Sequence, residues 1–155
     1  MILSHQVMKA VKLALQTHFT VPCYNGKTPD DKLYPQILWL VHDPRPVPSP
    51  AFTSDYEEVP VEFQVRGTNS PKVVMSLCEK LQRVFDRKTF SFSSAECGEE
   101  SMCSLVIDSS FASESTSGEA RWLGTVLVAW RAKRPITPAS CWLQLSTSSE
   151  TSETT

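Results

Sequence analysis

Behind Ser4, the apolar residues Val7, Met8, Val11, Ala14 and Leu15 recur at helical spacing. This spacing predicts an amphipathic helix from Ser4 to about His18, with Ser4 as its N-cap and one stripe on a core. Residues 20–35 read as loop, carrying an Asn25-Gly26 turn signal together with Pro22, Pro29 and Pro35. The next run, Gln36 to His42 (QILWLVH), is too short for a helix and predicts a strand buried on both faces. Asp43 to Asp55 follows, in which Pro44, Pro46, Pro48 and Pro50 fix φ and remove backbone donors, so an extended surface loop is expected.

From Glu57 the pattern alternates strictly. Val59, Val61, Phe63 and Val65 stand against Glu58, Pro60, Glu62, Gln64 and Arg66, predicting a strand with one wet face. Pro60 places that strand near a sheet edge or at a strand start. Ser70 and Pro71 then open a second helix to Asp86, with Val73, Val74, Leu77, Leu81, Val84 and Phe85 as its apolar stripe. Lys80, Arg83, Arg87 and Lys88 crowd the end where cations complement the helix dipole.

Three more strands are predicted, at Thr89–Ser93, Met102–Ser109 and Arg121–Ala132. The polar stretch Ser110–Glu119 between the last two reads as a mobile loop. The last strand is apolar on both sides, with Trp122, Val126, Val128 and Trp130 on one and Leu123, Leu127 and Ala129 on the other. It should therefore be central and covered twice. The expected fold class is α+β: a mostly antiparallel sheet of four to five strands packed with two helices, plus a C-terminal arm. Residues 1–134 form the domain, residues 135–145 an extended docking arm anchored by Trp142, Leu143 and Leu145, and residues 146–155 a Ser/Thr/Glu-rich tail expected to be disordered when free.

Composition narrows the function more by exclusion than by indication. At 155 residues the chain suits one domain, and a net charge of -2 offers no global attraction for nucleic acid. No apolar run approaches the roughly 20 residues that span a membrane. The N-terminal stretch reads as helix rather than signal peptide. Cys23, Cys78, Cys97, Cys103 and Cys141 are odd in number and contain no CxxC pair, which favours free thiols in a reducing compartment. The histidines His5, His18 and His42 show no ligand spacing to them, so neither a metal nor a cofactor is expected.

The phosphate-binding, dinucleotide-binding, zinc-protease and nucleophile-elbow signatures are all missing. Cys23 with His18 or His42 is the one imaginable nucleophile and base, and incidental thiols are far commoner. Asp55, Glu57, Glu58 and Glu62 form an acidic cluster that either lines a pore facing DNA or is simply a solvated face. No catalytic residue is expected.

The order helix, Pro-containing loop, strand, long loop, strand, helix and three strands resembles the tail-terminator (tail-completion) proteins of long-tailed bacteriophages. The likeness lies in three passages. Ser4–His18 leads through a loop into Tyr34-Pro35-Gln36-Ile37-Leu38. Phe63-Gln64-Val65-Arg66 hands directly to the helix Ser70–Asp86, and the chain closes on a strong strand, Gly124–Arg131. It covers roughly residues 4–134; the Pro46–Pro50 loop is long for the family, and the arm after Pro135 has no counterpart.

The resemblance implies a structural protein and not an enzyme. Such a protein forms a ring, a hexamer in this family, that caps the tail tube, stops its polymerisation and meets the head-tail connector or stopper. DNA would pass through the lumen without sequence-specific contact. The protein would assemble in the host cytoplasm and end in the virion. Under this reading Trp122, Val126, Val128 and Trp130, with Trp142 and Leu143 of the arm, are the expected subunit-interface residues, because two helices cover only one face of a small sheet. The rival readings are a head-completion or connector subunit, an RRM-like nucleic-acid-binding module, and a small enzyme.

Overall fold

The computed structural model describes residues 2–27, 34–47, 56–68, 70–94, 98–116 and 119–133. The proline-rich stretch from residue 48 to 55, the arm and the tail lie outside the described residues. Two helices, α1 (Ile2–His18) and α2 (Pro71–Phe85), accompany seven strands among the described residues. The strands are β1 (Cys23–Asn25), β2 (Gln36–Val41), β3 (Arg45–Pro46), β4 (Tyr56–Thr68), β5 (Lys88–Ser94), β6 (Gly98–Thr116) and β7 (Glu119–Lys133). They form one sheet in the order β1-β2-β4-β7-β6-β5, with β3 paired to β4. All pairings are antiparallel except β1 with β2, so the class is α+β as expected, with more strands than the sequence suggested.

Both helices lie on one face of this sheet. Val7, Val11, Ala14 and Leu15 of α1, with Phe19 just past its end, join Val74, Cys78, Leu81 and Phe85 of α2 over Ile37, Trp39, Val61, Phe63, Val126, Val128 and Trp130. Trp39, Phe63 and Val126 share one rung across β2, β4 and β7. Phe85 is the hub of the aromatic part of this core. Its ring stacks on Phe63 at 5.0 Å and meets Trp130 edge-on at 5.7 Å, while Phe90 closes on Trp130 at 4.8 Å. Trp130 Nε1 is buried there without a partner.

Glycine sets how closely α2 approaches. A side chain at Gly124 would run into Cys78 Sγ, and one at Gly67 would meet Val74 Cγ2 at 2.7 Å. Bare backbone at these two points lets the helix rest directly on β4 and β7. Ser70 precedes α2 with extended backbone but makes no side-chain cap, and at the other end the Asp86 N–H donates to the Gln82 carbonyl at 2.7 Å. Arg87 then takes a positive φ of 54°, turning the chain into β5. The Asp86 carboxylate accepts the Val106 N–H at 3.2 Å, capping β6 just past the rung where β5 begins, Lys88 with Ser104. The buried Ser104 hydroxyl donates to the Phe85 carbonyl, tying α2 to β6 from the other side.

Several expectations change. Helix α1 already includes Ser4, so that residue is not its N-cap. The loop after it contains a short parallel strand, β1, whose three residues were too few to show a period. Pro60 is neither at an edge nor at a strand start: β4 lies between β2 and β7, and Pro60 is buried in mid-strand. The reason is local. The edge of β4 away from β7 is shared by β2, whose ladder ends at Val41 opposite Val61, and by β3, opposite Glu57 and Glu58. Pro60 falls in the gap between them, where its carbonyl still accepts the His42 N–H at 2.9 Å and its missing donor disrupts neither ladder.

The loop expected at Ser110–Glu119 is mostly strand. β6 runs to Thr116 and β7 starts at Glu119, so the two make a long hairpin. A bulge at Ile107 shifts the β6 register between Val106 and Asp108, which flips the alternation of every later residue. Phe111 thereby comes onto the face of Trp122, and their rings stack at 5.4 Å. That cross-strand pair supports pairing through a stretch whose serines alone read as loop.

Candidate functional site

The face of the sheet opposite the helices is built from the other half of each strand's alternation. Its rungs follow from the pairing. Gln36, Arg66, Leu123 and Ala112 make one; Leu38, Gln64, Thr125 and Ser110 the next; Leu40, Glu62, Leu127 and Asp108 a third. Pro60, Ala129 and Leu105 follow, and then Glu58, Arg131 and Cys103. Among the described residues neither helix packs on these rungs. Leu40, Leu105, Leu123 and Leu127 are only half-buried, while Leu38 and Ala129 are buried in the sheet itself.

This geometry corrects the expected interface. Val126, Val128 and Trp130 are fully buried beneath the helices and present no surface to another subunit. Trp122, on the same side, is half-buried and stacked on Phe111. The outward set of β7 is the one that begins with Leu123. Trp142 and Leu143 lie outside the described residues.

The acidic cluster is likewise not one surface. Glu57 and Glu58 are adjacent in β4 and so point to opposite faces. Glu58 is only 2% exposed, and its carboxylate faces the guanidinium of Arg45 at 3.4 Å and that of Arg131 at 3.9 Å. A buried carboxylate needs such partners, and this one neutralises cations within the chain instead of presenting charge to solvent. Glu62 accepts the Gln64 amide at 3.4 Å and lies 4.0 Å from His42 Nε2. Asp55 lies outside the described residues.

The helix-free face also holds unsatisfied polar atoms. Gln36 Oε1, Arg66 Nε and Arg131 Nε are buried without hydrogen-bond partners. Gln36 and Arg66 are opposite one another in the outermost of the rungs shared with β2, and Arg131 is at the other end of the face. These atoms are already enclosed by the chain itself, so the feature of this face open to a covering partner is its half-buried leucines. A second opening lies along β6. Beyond Val106 no described strand pairs with its outer edge, and Ile107 and Phe111 there are each 41% exposed.

Of the thiols, Cys23 and Cys78 are both pushed up to about 11 by burial, with Glu79 adding to the shift at Cys78. An activated nucleophile shows the reverse shift, since the thiolate is the reactive form. At pH 8 a disulfide reagent should modify the exposed Cys103 quickly and leave Cys23 and Cys78 unreacted until the protein unfolds; equal rates at all three would contradict their placement. Because the folded state holds these protons more tightly than the unfolded chain, stability should fall as pH rises from about 9 to about 11. Denaturant titrations at the two ends of that window read the loss.

Among the described residues no group of His, Cys, Asp and Glu side chains could hold a metal ion, and no helix is long and apolar enough to cross a membrane. No known protein family and no characterised protein matches the chain.

Proposed function

We propose that this protein is a structural subunit that assembles with copies of itself into a ring, and that the ring ends a phage-type tail tube and offers its far side to the head connector. The observation that carries the reading is the helix-free sheet face, with its half-buried Leu40, Leu105, Leu123 and Leu127. A second copy is the partner most directly available to cover it. The order of elements, which resembles the tail-terminator family, supplies the biological context. Burial of the leucine rungs contributes roughly 25 cal/mol per Å² of apolar area, part of it offset by the entropy lost on association. The open β6 edge beyond Val106 gives a neighbour a ladder to extend, as exposed edges readily do.

The composition of the same face weighs against nucleic-acid binding. RRM-type sheets stack bases on aromatic side chains of the helix-free surface. Here the rungs from Gln36 to Glu58 carry only aliphatic and polar outward side chains from β2, β4 and β7, and the aromatics of this face, Tyr24 beside Leu38 and Tyr56 beside Lys133, stand apart at its margins.

The reading is tested at Leu127, which shares its rung with Glu62 and Asp108. Leu127→Asp adds a third carboxylate to that rung, and burying it between subunits would leave a charge unpaired. Sedimentation should show the wild-type chain as an oligomer and the variant as a smaller species with unchanged circular dichroism. Phage carrying the variant should produce tails of uncontrolled length. A variant that assembles like wild type would remove this face from the interface.

A further inference from the structure

A cleft of about 640 Å³ opens between α1 and the sheet edge formed by β1. Leu15, Phe19 and Trp39 make its floor, while His5, Lys9 and Lys12 stand around it, and no carboxylate is among the residues that line it. Among the described residues β1 pairs with β2 on one side only, which leaves its outer edge for an added strand. The cleft thus combines an apolar floor, a basic rim and an unpaired edge. Together these suit an extended segment with apolar anchors followed by acids.

The chain carries such a segment itself. After Arg134, residues 135–155 contain Trp142, Leu143 and Leu145, then Glu150 and Glu153, with no Lys, Arg or His. Its extended length exceeds the straight-line span, which is the least that a path around the sheet requires. Val126 shares a rung with Trp39, and Lys133, where β7 ends, lies roughly 23 Å farther along the strand at about 3.3 Å per residue. β1 is three strand spacings from β7, on the order of 14 Å, giving a span of roughly 27 Å. Residues 134–142 extended cover about 30 Å, and Pro135 and Pro138 favour that extended form. A tethered segment also meets its own cleft at high effective concentration.

We infer that the chain's own C-terminal segment docks in this cleft, with Trp142 over the Leu15–Phe19–Trp39 floor and its acids toward Lys9 and Lys12. This inference does not depend on the ring reading. It is tested in the full chain by placing the photo-crosslinking residue benzoylphenylalanine at position 142 and irradiating. Mass spectrometry should find crosslinks to peptides from residues 5–25, in material of monomer mass on a denaturing gel. Lys9→Glu with Lys12→Glu, both at exposed positions, should reduce that yield several-fold with melting unchanged. Crosslinks to the same peptides only in material of doubled mass would assign the cleft to a neighbour's arm and overturn the proposal. Absence of crosslinks to residues 5–25 would overturn it as well.

Discussion

Phe85→Ala should destabilise the protein by about 3–5 kcal/mol, the range for removing a fully buried aromatic side chain. The Phe85 ring is completely buried and joins α2 to two central strands, stacked on Phe63 of β4 and edge-on to Trp130 of β7. Its removal takes away the transfer free energy and the aromatic contacts together, and the sheet beneath is too constrained by its ladders to collapse into the gap. Chemical denaturation should report the loss as a lower midpoint with little change in slope. A cost below about 0.5 kcal/mol, the usual surface value, would mean that α2 does not present this face to the sheet.

Gly124→Ala should cost about 3 kcal/mol, near the top of the range for overpacking, although it adds a single methyl group. The new carbon would overlap Cys78 Sγ and approach Val74 Cγ1 to 3.2 Å, so α2 must lift from β7. Because the clash is mainly with sulfur, Cys78→Ala should relieve it. Cys78→Ala alone leaves a small cavity and destabilises modestly, whereas the double variant should be more stable than Gly124→Ala alone. Thermal melts of the four proteins form the cycle. Strictly additive losses would show that the strand glycine does not set the helix approach.

That same glycine explains which part of the architecture was legible. Helical periodicity over fifteen residues makes Val74, Leu81 and Phe85 of the α2 stripe legible, whereas Val73, expected in the same stripe, is 42% exposed and Cys78 is buried instead. The alternation of β4 was equally clear. In β7 both alternating sets are apolar, and hydrophobicity alone cannot say which one meets the helices. That two helices cover only one face of a small sheet does not say which set of β7 is left over. Gly124, on the tryptophan side expected as the interface, was the contrary signal, since a glycine inside a strand marks close backbone approach and so the helix-packed face. The acidic cluster misled for a related reason: composition groups Glu57, Glu58 and Glu62, whereas the two-residue period divides them, and Arg131 reaches Glu58 only through a pairing distant in sequence.

β1 and the β6–β7 hairpin were hidden for different reasons. Three residues are too short to display a period, and Cys23–Asn25 becomes a strand only because β2 offers it an edge. The serines of β6 read as loop, but the bulge at Ile107 restores Phe111 to Trp122, a long-range event that no local pattern encodes. Proline in a strand favours an edge, because it lacks the ladder donor. Pro60 is accommodated in mid-sheet because two short strands divide one side of β4 and leave a gap at its position.

The central claim, that the helix-free face and the open β6 edge join copies of this chain into a ring, is tested most directly by electron microscopy of the purified full chain. Closed rings with a central opening are expected, and they should be lost in Leu127→Asp. Wild-type protein that remains monomeric at high concentration, even with tail tubes present, would contradict it.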